Sequence, residues 1–142
     1  MSSTHALSLM DVFRVDFRTS MAGDGLNQRL LAELSLDFRY QPARLALAAS
    51  LAELKPPAPA PDLLGRPIRG ETLFGQEEAE VAVWVGLLVE HTASLDEVAA
   101  PSRRLLVEGV AAHWARGADL IARRWSQWRG SPTAFIVSLQ AI

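Results

Sequence analysis

VFRVDFRTS, residues 12 to 20, alternates almost without a break. Phe13, Val15 and Phe17 fall on one side of an extended chain, and Arg14, Asp16 and Arg18 on the other. That is the period-two pattern of a half-buried strand. No other segment reads as a strand, so this one needs a partner strand from another chain, or no sheet forms at all.

Working outward, MAGDG has turn character, with Asp24 as a helix N-cap. LNQRLLAELSL follows, with Leu26, Leu30 and Leu34 at i, i+4 and i+8 on one helical face. DFRY then connects to Pro42, suited to the first position of a helix PARLALAASLAEL. The alanines of that helix let another helix approach closely. LKPPAPAPDLLGRP, residues 54 to 67, cannot continue it, because prolines 56, 57, 59 and 61 remove amide donors and favour an extended strap.

QEEAEVAVWVGLLVEH, residues 76 to 91, reads as a third helix, with Glu77, Glu78 and Glu80 at its positive end. Val81, Trp84, Val85 and Leu88 form a stripe; Val83, Leu87 and Val89 widen it, which predicts a helix buried on most sides, neighbouring subunits included. SLDE at 94 to 97 has capping-box form, with Ser94 as N-cap and Glu97 at the third position. A long helix runs from about Ser102 to Trp128, its period carried by Leu106, Val110, Trp114, Gly117, Ile121, Trp125 and Trp128. GSPTAFIVSLQAI opens with breakers and ends apolar, a tail for docking on the core or on a partner.

The expectation is therefore a mainly α fold: a short N-terminal strand plus about four helices, with a ribbon-helix-helix-like N-terminal half. A chain of 142 residues is about one domain long. Within it, residues 1–54 form the strand-helix-helix half, 55–70 the proline-rich strap, 71–129 the helical half and 130–142 the C-terminal tail.

The composition, 49% apolar and 21% charged, is that of a globular protein. The absence of cysteine excludes disulfides, thiolate metal sites and thiol catalysis. The N-terminus lacks signal-peptide character and no apolar run is long enough to span a membrane, so a soluble, cytoplasmic protein is expected. The net charge of −2 creates no global positive field, and any nucleic-acid contact must use a local patch or an oligomer. Of the 14 basic residues only Lys55 is a lysine.

Catalytic signatures are missing. GRPIRGET, residues 65 to 72, has the glycine spacing of a P-loop, but Glu71 stands where the lysine is needed and Pro67 removes an amide donor. His5, His91 and His113 form no ligand pair at metal-binding spacing, and no GxSxG occurs. His113, beside Trp114, reads as a structural or interface residue, and the acidic residues from Glu71 to Glu97 as helix-end and solvated charge. No enzyme, catalytic residue, cofactor or metal is expected. RRWSQWR, residues 123 to 129, is the one place where tryptophans and arginines interleave as a nucleic-acid platform would require.

Strand, helix, helix is the order of the ribbon-helix-helix module, in which two chains pair strands and lay the ribbon in the DNA major groove. In that arrangement Phe13, Val15 and Phe17 cover the helices and meet the second subunit, while Arg14 and Arg18 face DNA. Asp16 between them is unfavourable, since it repels phosphate.

FRTS, LNQRLLAEL, ARLALAASL, RGETLFG and EGVAAHWARGADLIA resemble, in order and spacing, the DNA sulfur modification protein DndE family. The resemblance covers roughly residues 13 to 128. It implies a small, non-enzymatic, homotetrameric DNA-binding component of the DNA phosphorothioation machinery, with a preference for nicked duplex, acting beside other DNA sulfur modification proteins. The family's basic surface lies around the first helix, where this chain offers Arg29 within the helix, Arg14 and Arg18 before it, and Arg39 and Arg44 after it. Residues 1 to 55 hold six acidic and six basic side chains, so this surface is neutral overall. The third and fourth helices supply the remaining oligomer contacts, with Trp84, Leu88, Trp114 and Ile121 as candidates. Two alternatives stay open: a scaffold of the modification complex with little DNA contact, and a ribbon-helix-helix repressor.

Overall fold

The computed structural model describes residues 8–92 and 102–140. Among them the chain is mainly helical, with seven helices and one two-stranded antiparallel sheet. The capping-box stretch SLDE lies outside the described residues.

The opening segment departs from expectation. Ser8 caps a short helix α1, Leu9–Phe13: its hydroxyl accepts from the Asp11 amide while the Asp11 carboxylate accepts from the Ser8 amide. That reciprocal bond, first of all the one from the Ser8 amide, holds the Asp11 carboxyl below its usual range. Val12 and Phe13 are thereby helical, and the strand shrinks to β1, Asp16–Phe17. Its alternation survives: Val15 and Phe17 are buried, whereas Arg14, Asp16 and Arg18 are exposed.

The missing partner strand comes from the same chain. β2, Ile68–Arg69, lies at the end of the strap and pairs antiparallel with β1, Phe17 opposite Ile68 and Asp16 opposite Arg69. Two further bonds extend the ladder, Gly70 amide to Val15 carbonyl at 2.8 Å and Gly65 amide to Thr19 carbonyl at 3.0 Å. Hence the sheet expected to need a second subunit is closed internally. Two residues between Pro67 and Gly70 are too few to show a strand period in sequence.

α2, Met21–Glu33, begins earlier than expected and absorbs MAGDG. Ser20, not Asp24, is the N-cap, accepting from the Gly23 amide at 2.9 Å, and the Asp62 carboxylate of the strap accepts from the Met21 amide at 2.8 Å. The helix ends with Ser35 in the left-handed region (φ 57°), its amide bonded to Ala32 and that of Leu36 to Leu31. α3, Tyr40–Leu51, starts two residues before Pro42, which still falls in the first turn where no amide donor is needed. The Gln41 side chain folds back to accept from the Asp37 and Phe38 amides.

α4, Gly70–Leu73, is one turn; α5 spans Glu78–Thr92 and α6 Arg103–Ser126, capped by Ser102. α3 and α6 cross at the centre of the fold. There a Cβ on Gly117 would run into the Ala46 carbonyl and lie 2.7 Å from its Cα, so glycine and alanine permit the close approach that the alanine-rich α3 foreshadowed. One hydrophobic cluster runs from Val12 through Phe17, Leu30, Leu47, Leu88, Trp114 and Ile121 to Phe135.

α5 is less enclosed than its broad stripe suggested. Val81 and Leu88 are buried, but Val83 is 62% and Leu87 45% exposed. α7, Pro132–Gln140, brings the tail back onto the chain's own α6: Phe135 sits between Trp125 and Trp128 at centroid distances of 5.2 and 5.5 Å. Among the described residues no helix is long and apolar enough to cross a membrane.

The residues expected at subunit contacts are covered largely by this one chain. Val15, Phe17, Leu88, Trp114 and Ile121 are at most 2% exposed, and Phe13 and Trp84 are partly buried against the same core, Trp84 with its ring 6.0 Å from Phe74. Their burial needs no second subunit.

Candidate nucleic-acid interface

The 13 arginines divide by what their guanidinium groups hold. Arg18 donates to the Gly65 carbonyl at 2.9 Å. Arg39 donates to the Arg66 and Pro67 carbonyls and pairs with Asp24 at 3.2 Å. Arg44 donates to the Leu73 and Thr72 carbonyls at 2.7 and 3.0 Å and lies over the Tyr40 ring at 4.4 Å. Three of the five sequence candidates therefore converge on residues 65 to 73 and clamp the strap against α2 and α3. A planar fork with several fixed donors suits this task better than lysine does. Arg116 acts similarly at the far end of α3, donating to the Ser50 hydroxyl and to the Ser50 and Lys55 carbonyls, where a cation also meets the negative end of the helix.

The other two candidates stand apart. Arg29 pairs with Glu33 at 3.3 Å, and the same Glu33 accepts from the Trp125 indole at 2.8 Å. Arg14, the C-cap of α1, is exposed; among the described residues its guanidinium makes no hydrogen bond or salt bridge, though its charge helps hold the Asp11 carboxyl below its usual range. Arg66 and Arg69, on the strap, are exposed with unpaired guanidinium groups as well. The outer face of the ladder thus carries Arg14, Asp16, Arg18 and Arg69, and the carboxylate that looked misplaced in sequence stands directly across from Arg69. This face is locally positive although residues 1 to 55 are neutral.

Beside the ladder, where the first turn of α3 meets β2, lies an open groove of about 340 Å³ lined by Phe38, Arg39, Tyr40, Ile68, Arg69 and Thr72. Phe38 is 58% exposed and its ring stacks on Tyr40, 8° from parallel with centroids 5.8 Å apart. Sequence reasoning passed over Phe38, Tyr40, Arg66 and Arg69. The available signal was the spacing of Arg66 and Arg69 in GRPIRG, hidden by that segment's false likeness to a P-loop.

Behind this surface a buried polar network joins distant segments. Thr19 donates to the Ala111 carbonyl at 2.9 Å; Asn27 donates to the Arg39 carbonyl and accepts from the Trp114 indole at 3.1 Å. Ser50 bonds His113 Nδ1 at 2.8 Å. Since Arg116 donates to the same hydroxyl, Ser50 is free to donate to His113, which then carries its proton on Nε2. His113 is fully buried, and burial first, then the nearby His91 and Arg116, pull its pKa down to about 4. It is a neutral core residue, packed edge-on to the His91 ring at 4.8 Å.

RRWSQWR is not a free platform. Trp125 bonds Glu33, Trp128 donates to the Ser131 carbonyl, and both rings pack on Phe135. Among the described residues no three His, Asp or Glu side chains gather to hold a metal ion. Neither the protein-family models nor the curated proteins contain a match to this chain.

Proposed function

We propose that the chain is a non-enzymatic, DNA-binding component of a DNA phosphorothioation system, acting as an oligomer beside the sulfur-modification proteins. The observation that carries this reading is the outer face of the β1–β2 ladder, where Arg14, Arg18 and Arg69 surround Asp16, with Asp11 also near Arg14. Such a surface meets the phosphate backbone without requiring a net positive protein.

The stretches that resemble the family are each other's bonding partners: Thr19 of FRTS with Ala111 of EGVAAHWARGADLIA, Trp114 of that stretch with Asn27 of LNQRLLAEL, and Arg44 of ARLALAASL with Thr72 of RGETLFG.

The scaffold reading has its own support, because Arg18 and Arg39 direct donors at the strap's carbonyls and Arg44 at those of α4, which leaves fewer for phosphates. Fluorescence anisotropy on a labelled duplex separates the two. DNA binding predicts that Arg14→Ala with Arg69→Ala lowers the slope of log K against log salt by about 1.8, two phosphate contacts at roughly 0.9 each. An unchanged slope, with the sulfur-modification proteins still captured, favours the scaffold.

A further inference from the structure

We propose that the groove between α3 and β2 takes one unpaired base of a DNA strand, stacked on Phe38, with an adjoining phosphate on Arg69. This rests on the DNA-binding reading above and names the part of DNA the site selects.

Phe38 leaves more than half of its surface in water, beside the groove that it lines. Its ring is nevertheless held in place. The Phe38 amide donates to Gln41 at 3.0 Å, the ring lies nearly parallel to Tyr40, and the Tyr40 ring carries the Arg44 guanidinium. An exposed aromatic surface fixed in this way costs little entropy to stack against, and any base offers a π face to it. The volume of about 340 Å³ lies at the lower end of the roughly 300–1,000 Å³ of small-molecule sites, suited to one planar ring system.

Charge selects the occupant. Arg69 lines the groove with its guanidinium unpaired among the described residues, and no carboxylate lines it. Asp24 is held by Arg39, and Asp16, directly opposite Arg69 in the ladder, offsets part of its charge without lining the groove. Asp37 directly precedes Phe38 and Glu71 lies two residues beyond Arg69, and like charge disfavours a compact, highly charged ligand such as a nucleoside triphosphate. A strand spreads its charge, so that one phosphate meets Arg69 and the next ones run toward Arg66 and Arg14. A paired base keeps its faces covered within the duplex; an unpaired one does not.

The test compares a labelled duplex carrying one bulged adenine with the same duplex fully paired, by anisotropy at one salt concentration. The bulged duplex is expected to bind about 5- to 150-fold tighter, the range of base–aromatic stacking. Phe38→Ala should abolish that preference while leaving fully paired DNA bound as before, and Phe38→Trp should keep it. Equal binding of the two duplexes by the native chain, or a preference that survives Phe38→Ala, overturns the base site but leaves the DNA-binding reading standing. Failure to bind either duplex overturns both. Free deoxyadenosine monophosphate binding as tightly as the bulged strand overturns the strand as occupant.

Discussion

Replacing Gly117 with alanine should destabilise the fold, although the same change elsewhere in a helix stabilises it. Alanine is favoured over glycine in a helix interior by about 0.5–1 kcal/mol. At Gly117 the new methyl would overlap the Ala46 carbonyl and sit 2.7 Å from its Cα, against 3.4–4 Å for ordinary contact. α3 and α6 must therefore separate by about 1 Å, which loosens the central crossing of a close-packed core. Overpacking of this kind costs about 1–3 kcal/mol, and contact with rigid backbone rather than a side chain puts it at the upper end. The net loss is about 2 kcal/mol, a fall in Tm of roughly 6–10 °C for a domain of this size. Gly86→Ala is the control, because nothing lies within 4 Å of a Cβ there, and it should gain about 0.5–1 kcal/mol. Urea and thermal unfolding of both variants read the difference. A Gly117→Ala protein as stable as its Gly86→Ala counterpart would refute the crossing.

Two other changes probe the polar interior. His113 has a folded pKa of about 4 against an ordinary 6.5, so its contribution is complete above pH 6.5 and disappears as pH falls toward 4. The loss approaches about 3 kcal/mol, and urea titrations at pH 7 and 4.5 should show His113→Gln flattening that dependence. Arg116→Lys cannot reproduce three donors aimed at Ser50 and Lys55, and should cost about 1–3 kcal/mol in the same assay, where a neutral result would mean the fork is dispensable.

The sequence made some of this legible through periodicity and left the rest silent where periodicity cannot operate. Val15 and Phe17 are inside and Arg14, Asp16 and Arg18 outside, as alternation required. The long helix expected from about Ser102 to Trp128 runs Arg103–Ser126. Alternation could not reveal that Ser8 starts a helix through Val12 and Phe13, since a capping box overrides a weak strand pattern locally. Nor could it find β2, two residues long, or the bonds that Arg18 and Arg39 make to the strap and Arg44 makes to α4. Those are long-range bonds, spanning 27 to 47 residues, with no local signature. Asp24 illustrates the same limit. It reads as a cap beside the helix, yet its carboxylate meets Arg39 and the Arg66 amide.

The proposed phosphate-facing surface of the ladder, Arg14, Arg18 and Arg69, meets its sharpest test in the salt dependence of duplex binding by the unmodified protein. Three phosphate contacts predict a log–log slope near −2.7, so that raising salt from 50 to 200 mM weakens binding about 40-fold. Binding that is absent at 50 mM, or that holds constant across that range, would contradict a phosphate-directed surface on the ladder.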